Sequence, residues 1–433
     1  MANGELCSPP PLASALPAGT VALLKRLGEM ARGRGMEAYL VGGLVRDLFL
    51  GVGSIDLDIA VVGDGIAFAR RAGGELGGGV AVYDRFRTAT ITMPDLTRMD
   101  VATSRSETYE RPGALPDVKP APIVEDLGRR DFSINAMAVD LDPDKFGALV
   151  DPHGGAADLA ERRLRVLHDK SFLDDPTRIL RLARFATRFD FVPEPRTREL
   201  LDSALASRAF DFISADRLRQ ELYLAFSELE PGAVFGFLEG VGALSAILPG
   251  AAPGGEFPQL LDRAHGLVSF VEKGSQWDPS VLFLLLLLRD AGSEDLTAVV
   301  RRLGLLAGAR AAVESAPGLA DLVRRAEAAE KASALRGLLE GRPLEIQLAV
   351  AVMAGTEKSR RALIAHVSRG RLLKPELSGD DLIIMGFDPG PGIGRILGAL
   401  TDARLDGTVE TLEDEEKFVA SRFVPPKGDP VKG

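Results

Sequence analysis

The chain has a single cysteine, Cys7, in 433 residues, which excludes a disulfide framework and any cysteine-based zinc site and suits a reducing compartment. Histidine is nearly as scarce. His153, His168, His265 and His366 are too scattered for a metal-ligand set, and no His-Asp phosphohydrolase pair stands in the C-terminal half, so each is read as a surface or packing residue. Long apolar runs are also missing. The longest, residues 281–288, falls well short of the roughly 20 residues that a membrane-spanning helix needs. Residues 1–20 lack the basic start and apolar stretch of a secretory signal and read as a disordered leader. A cytoplasmic protein without membrane association is expected. Nor is there an excess of positive charge: 52 Lys and Arg stand against 62 Asp and Glu, a formal net charge of -10. Nonspecific nucleic-acid affinity comes from neutralised phosphates, so generic polyanion binding is excluded and any basic RNA surface must be local. Basic residues do cluster at 161–165, 178–198 and 358–374, where the plain alternative is a solvated helix face.

What is present divides the chain in two. Up to about residue 150, short β-rich runs (37–42, 57–62, 89–93, 99–102 and 136–141) alternate with helical patterns, which reads as α/β. From Asp175 onward apolar residues recur at three- and four-residue spacing, and that half is expected to be all helical, with Trp277 and its phenylalanines in the core. Pro-Gly breaks at 248–256 and 370–379 mark joints. The expected organisation is a leader (1–20), an α/β head (21–155), and three helical parts, 156–248, 249–375 and 376–433.

The chemistry-bearing residues lie in the head and just after it. In YLVGGLVRD, residues 39–47, a strand runs through two glycines into a helix, so that backbone N–H groups and the helix N-terminus face an approaching phosphate. Arg46 lies one turn in, able to reach a triphosphate or to pair on the surface. IDLDI follows at residues 55–59. Residues two apart share a strand face, so Asp56 and Asp58 are expected side by side, an arrangement that is costly without a cation and whose hard oxygens suit Mg²⁺. Asp100, in the strand pattern RMDVA, is a third acid; three such carboxylates would clamp metal ions around an in-line phosphoryl displacement, and Asp100 would take the proton of the attacking hydroxyl.

The runs LVGGLVRDLFL, DLDIA, DVATSR, RRDFSINAMA and DDPTRILRLARFATRF, in this order, resemble the bacterial-type (class II) tRNA nucleotidyltransferases and their poly(A) polymerase relatives, over about residues 39–249. The resemblance implies a DNA polymerase beta-like head with a small mixed sheet, followed by all-α neck, body and tail. It implies that Gly43 and Arg46 contact the incoming triphosphate, that Asp56 and Asp58 bind the metals and that Arg130 binds nucleotide. Asp175, Arg178, Arg181 and Arg184 match positions that bind base or phosphates. The partners implied are the 3′ end of tRNA with ATP and CTP.

Asp175-Pro176 reads as a helix N-cap followed by proline at the first helical position. Asp175, Arg178 and Arg181 then form a winding stripe backed by Ile179, Leu182, Phe185 and Phe189. Cytosine and adenine each present an amino donor beside a ring-nitrogen acceptor, complementing a carboxylate beside a guanidinium; uracil and guanine present the reverse. The commonest CCA-adding form of the family has Glu-Asp where this chain has Asp174-Asp175, which leaves base reading in place and the set of added bases open. Residues 104–125 read as a long polar loop. Such a loop supports the switch to ATP in the family, so addition of the whole CCA or of its terminal A is expected. The alternatives are a poly(A) polymerase, against which the acidic stretch 410–416 argues, a non-catalytic RNA-binding protein, and nucleotidyl transfer to a small molecule or protein.

Overall fold

The protein is described here from a computed structural model covering residues 12–53, 56–268 and 277–424. It divides into two compact units, Met1–Ile247 and Leu248–Gly433. Cys7, most of the leader and Ile55 of IDLDI lie outside the described residues. The leader does not stay irregular as far as residue 20: helix α1 (Leu12–Ala15) and helix α2 (Ala18–Arg32) begin inside it. Leu12 and Leu16 are buried, an apolar contribution that the surrounding prolines hid.

The head is a seven-stranded mixed sheet in the order β3-β4-β5-β2-β1-β8-β9. Its strands are β1 (Glu37–Val41), β2 (Leu57–Val62), β3 (Gly79–Tyr83), β4 (Thr88–Thr92), β5 (Arg98–Thr103), β8 (Ala138–Asp140) and β9 (Leu149–Val150). Only β2 and β5 run parallel; the other neighbours are antiparallel. Helix α2 presents Leu24, Leu27 and Ala31 to the core, and Gly28 lets it press against the chain: a Cβ there would stand 1.7 Å from the Leu141 carbonyl oxygen. Helix α3 (Gly43–Leu50) follows the two glycines, and α4 (Gly65–Leu76) buries Phe68, Ala69 and Ala72 against β4 and β5. On the sheet's opposite face α5 (Ile123–Gly128) sets Ile123 and Leu127 on Tyr39, Val41, Ala60, Ala136 and Ala138.

Two departures from the sequence pattern bear on the site. Residues 104–125 are not a loop: β6 (Arg105–Thr108) pairs antiparallel with β7 (Asp117–Pro120), and α5 begins at Ile123. The hairpin's strands carry no apolar alternation; the backbone ladder joins them, and Glu107 of β6 accepts from Arg105, Tyr109 and Arg129. Nor is the chain purely helical after residue 175. Following α6 (Gly155–Ala160), α7 (Ser171–Asp174) and α8 (Thr177–Phe189), the chain turns through Asp190 in a left-handed conformation, and β11 (Val192–Pro193) pairs with β10 (Arg163–Leu164). Helices α9 (Pro195–Ala206), α10 (Ala215–Phe226), α11 (Pro231–Gly240) and α12 (Ala243–Ile247) complete the unit.

In the second unit the elements from α13 (Phe257–Val268) to α23 (Leu412–Arg422) are helical. The apolar run at 281–288 is a buried helix, α14 (Pro279–Leu287), packed on α19 (Leu344–Met353). No described helix is long and apolar enough to cross a membrane. Leu377, Leu382, Phe387, Ile396, Leu400 and Val419 make a separate small core beneath α21 (Gly379–Ile384), α22 (Pro391–Leu405) and α23.

Candidate active site

A strand side chain shares its sheet face with the residue directly across from it, so register fixes what meets what. Asp58 on β2 stands opposite Asp100 on β5, and Asp100 opposite Thr90 on β4. All three project from the face that carries α5. The Thr90 hydroxyl donates to Asp100 Oδ1 at 2.6 Å, which fixes that carboxylate. Asp56 is placed differently from expectation: β2 begins at Leu57, so Asp56 precedes the strand and is exposed. The residue sharing a ladder position with Asp58 is Asp100.

Burial raises the Asp58 carboxyl from 3.8 to about 6, assisted by the charge of Asp100 and, to a smaller degree, of Asp56, and opposed by Arg130. The sign matters for stability. A carboxyl whose folded value lies above its unfolded one destabilises the fold once ionised, fully above about pH 6 and not at all below about pH 4. At roughly 1.4 kcal/mol per pH unit, less some solvent screening, the cost is about 1–3 kcal/mol. Asp58→Asn is therefore expected to raise the thermal midpoint by a few degrees in EDTA at pH 8, and to lose that advantage near pH 4; an unchanged midpoint at pH 8 would contradict this electrostatic account.

Gly42 is what lets Asp58 stand where it does. Its φ is +79°, and a Cβ there would lie 2.8 Å from Asp58 Oδ2. The motif's first glycine thus admits the carboxylate, while the second, Gly43, opens α3 next to Arg46. Arg46 is buried and fully engaged: it donates to Asp47 Oδ1 at 2.9 Å and to Asn135 Oδ1 at 2.7 Å, with its guanidinium 4.7 Å from the Phe189 ring centre. It contributes a fixed positive charge.

Behind Asp58 opens a cavity of about 600 Å³ lined largely by arginine. It brings together Gly43, Arg46, Asp58, Arg130, Asp175, Arg178, Arg181 and Arg184 of the sequence expectations. Asp100 lines a second cavity of about 350 Å³, which shares Asp58, Arg129 and Arg130 with the first. Asp56 lines neither. Arg130 donates to Asp126 at 3.0 Å while its buried Nε has no protein partner. Helix α8 supplies the rest of the arginine wall. Arg178 donates to Ser171 Oγ at 2.6 Å and to the Arg129 carbonyl at 2.7 Å; Arg181 holds Asp131 at 2.6 Å; Arg184 holds Glu221 at 2.9 Å and Glu228 at 2.8 Å. Burial works against ionisation of Asp131, yet Arg181 and Asn135 keep its carboxyl below the usual range.

Asp175 ends α7 in extended backbone, and its carboxylate accepts from the Thr177 backbone N–H at 3.0 Å, so it caps α8 from one residue further out than a simple N-cap. It also pairs with Arg217 of α10 at 2.7 Å, a contact with no local sequence signal. Phe185 lines the cavity instead of only backing it, stacked on Phe189 at 5.9 Å. Asp174 does not line the cavity but faces His168 at 3.9 Å, so the departure from Glu lies away from the ligand-sized space. Asp131, Asn135, Glu107, Arg129, Arg217 and Glu221 were missed; of these only Arg129, Asp131 and Asn135 fall inside a quoted motif, RRDFSINA.

Comparison with known proteins places this geometry. Residues 38–165 match the poly A polymerase head domain family. The chain is 34% identical over 413 residues to an A-adding tRNA nucleotidyltransferase of Geobacter sulfurreducens; the match takes in 93% of this chain but 47% of that protein, so the chain spans about half of its length. It is 33% identical to the A-adding enzyme of Halalkalibacterium halodurans, over 93% of this chain and 92% of that one. The CC-adding tRNA nucleotidyltransferase of Deinococcus radiodurans is also 33% identical, across 90% and 91% of the two chains. Among solved structures, an apo CCA-adding enzyme superposes with a TM-score of 0.84 at 29% identity, covering 95% of this chain and 97% of that one. With a sheet-borne carboxylate, Asp58, on the lining of an arginine-rich cavity, and relatives matched along nearly their whole length, the chain belongs to the tRNA nucleotidyltransferase family.

Proposed function

We propose that this protein adds the terminal A of the CCA end to tRNA, from ATP, with the base selected by protein side chains and a divalent cation, Mg²⁺, at Asp56, Asp58 and Asp100. The observation that carries the proposal is the arginine-walled cavity with Asp58 at its mouth: a polyphosphate-sized cationic space opening onto a carboxylate that is unfavourably charged when alone. Three A-adding relatives, at 34% and 33% identity over 93% of this chain and at 42% over 45% of it, stand against one CC-adding relative at 33% over 90%, and this balance favours A over CC.

The donor set fits Mg²⁺, which is commonly held by one or two carboxylates, with water and substrate phosphate completing an octahedron. Asp58 and Asp100 form such an open pair; among the described residues no group of three acidic, histidine or cysteine side chains is already gathered into a cage. When bound, the cation would offset charge on the reacting phosphate and lower the proton affinity of the attacking hydroxyl. Arg130, with its unpartnered Nε, and the fixed charge of Arg46 hold the triphosphate. The RNA 3′ oxygen attacks the α-phosphorus; the O3′–P bond forms, the bond to the bridging oxygen breaks, pyrophosphate leaves, and the hydroxyl proton passes to Asp100. Asp175 and Arg178, which line the same cavity, read the base.

Single-nucleotide extension tests this on three RNAs: tRNA lacking CCA, tRNA ending in C and tRNA ending in CC. Labelled AMP should enter the third, with little CMP entering the first two. CMP incorporation into the first RNA, with no AMP into the third, would make the protein a CC-adding enzyme. Extension of a poly(A) primer in preference to tRNA would make it a poly(A) polymerase.

A further inference from the structure

Helix α5 covers only part of its sheet face. Over β5, β4 and β3 the same face is left bare, and register shows how it is furnished. One row across the sheet is Ala81, Thr90, Asp100, Asp58; the next, two residues along, is Tyr83, Thr88, Ala102, Ala60. Apart from the acids and the tyrosine these are small side chains, so the face remains hollow, and the hollow is the 350 Å³ cavity that contains both Asp58 and Asp100. Tyr83 closes it at the edge strand, 52% exposed, a large aromatic with no role in the core.

The two cavities meet at Asp58 and differ in chemistry. One is walled by arginine and suits a polyphosphate. The other has a polar end at Asp58 and Asp100 and a floor of alanine and threonine. In-line transfer requires the attacking oxygen to approach opposite the leaving group, so the acceptor must enter from a different side than the triphosphate. With strands about 4.8 Å apart and a rise of about 3.4 Å per residue, the Tyr83 backbone lies ~12 Å from that of Asp100, within which a nucleoside fits once the ring reaches inward.

The geometry points to the hollow as the seat of the acceptor RNA's terminal nucleoside, with its 3′ hydroxyl at Asp58 and Asp100 and its base stacked on Tyr83. This assignment rests on the proposed nucleotidyl transfer. Base stacking on an aromatic tolerates any base, which suits a seat that need only hold an end. Tyr83 is a positioning residue and touches no reacting atom.

Steady-state kinetics on end-trimmed tRNA, varying RNA and nucleotide separately, tests it with Tyr83→Ala, Tyr83→Leu and Tyr83→Phe. Removing the ring should raise the KM for tRNA about 10-fold in Ala and Leu, and leave the KM for the nucleotide within about twofold. Tyr83→Phe should match the parent. A substrate carrying 2-aminopurine as its last nucleotide should be quenched on binding the parent and Phe proteins and not the Leu protein, which preserves apolar bulk if the alanine variant folds poorly. An unchanged KM for tRNA in the Leu protein, or equal quenching in all, would overturn the assignment while leaving the transferase reading intact. Failure of the unmodified protein to extend any RNA would sink that reading and this one with it.

Discussion

Asp58→Ala is expected to reduce nucleotide incorporation into end-trimmed tRNA at least about 10³-fold, measured as labelled AMP transferred per enzyme at saturating Mg²⁺. Asp58 is the carboxylate common to the two cavities, and its ladder partner Asp100 is already held by Thr90. Removing it deletes the group that would bind the cation at the junction, while the arginine wall that binds the triphosphate is untouched. Nucleotide affinity should therefore fall much less than turnover. The same deletion removes the burial penalty, and the smaller repulsion from Asp100, that raise the Asp58 carboxyl, so the inactive protein should be no less heat-stable than its parent in EDTA. Incorporation within tenfold of the parent would show that catalysis does not run through this carboxylate.

Base choice is expected to fail at Arg178 in a different manner. Its guanidinium spans Ser171 Oγ and the Arg129 carbonyl, two acceptors on separate segments, and is buried. Lysine keeps the charge but cannot bridge both acceptors in one plane. Arg178→Lys should thus reduce selectivity for ATP over GTP by about 1–3 kcal/mol, the worth of a well-formed pair of hydrogen bonds to a base, while the KM for tRNA stays nearly constant. Competition between labelled ATP and GTP on tRNA ending in CC measures it. Selectivity unchanged alongside a lower turnover would assign Arg178 a structural role only.

The strands that carry the carboxylates were legible because β5 alternates and β1, β2 and β4 are short runs rich in β-branched and aromatic residues, and the Gly-Gly turn announces α3. Register was not legible. Nothing in spacing placed Asp100 opposite Asp58, or started β2 only after Asp56, since pairing is decided by the whole sheet. The hairpin was hidden for a different reason: RSET and DVKP carry almost no apolar signal, and Glu107 of the first is tied by charge to Arg129, at the end of α5. Arg217 and Glu221 lie on an ordinary amphipathic helix, and only the packing of α10 on α8 brings them to the cavity. The acidic stretch at 410–416 also gains a meaning that composition withheld. Asp414 closes a capping box with Thr411, and Glu415, fully buried, accepts from the Glu376 and Leu377 N–H groups and pairs with Arg404.

Arg178 is anchored to a backbone carbonyl and a serine hydroxyl of the same chain, so whatever it specifies is fixed when the protein folds. A nucleic-acid template can slip, melt or be copied wrongly; in the proposed reaction a guidance device made of two side chains, Asp175 and Arg178, would have none of these failure modes. It acquires others in their place, chiefly thermal loosening of helix α8 and drift of a single codon. Under the proposed function, an error there would pass at once to every RNA that the protein completes.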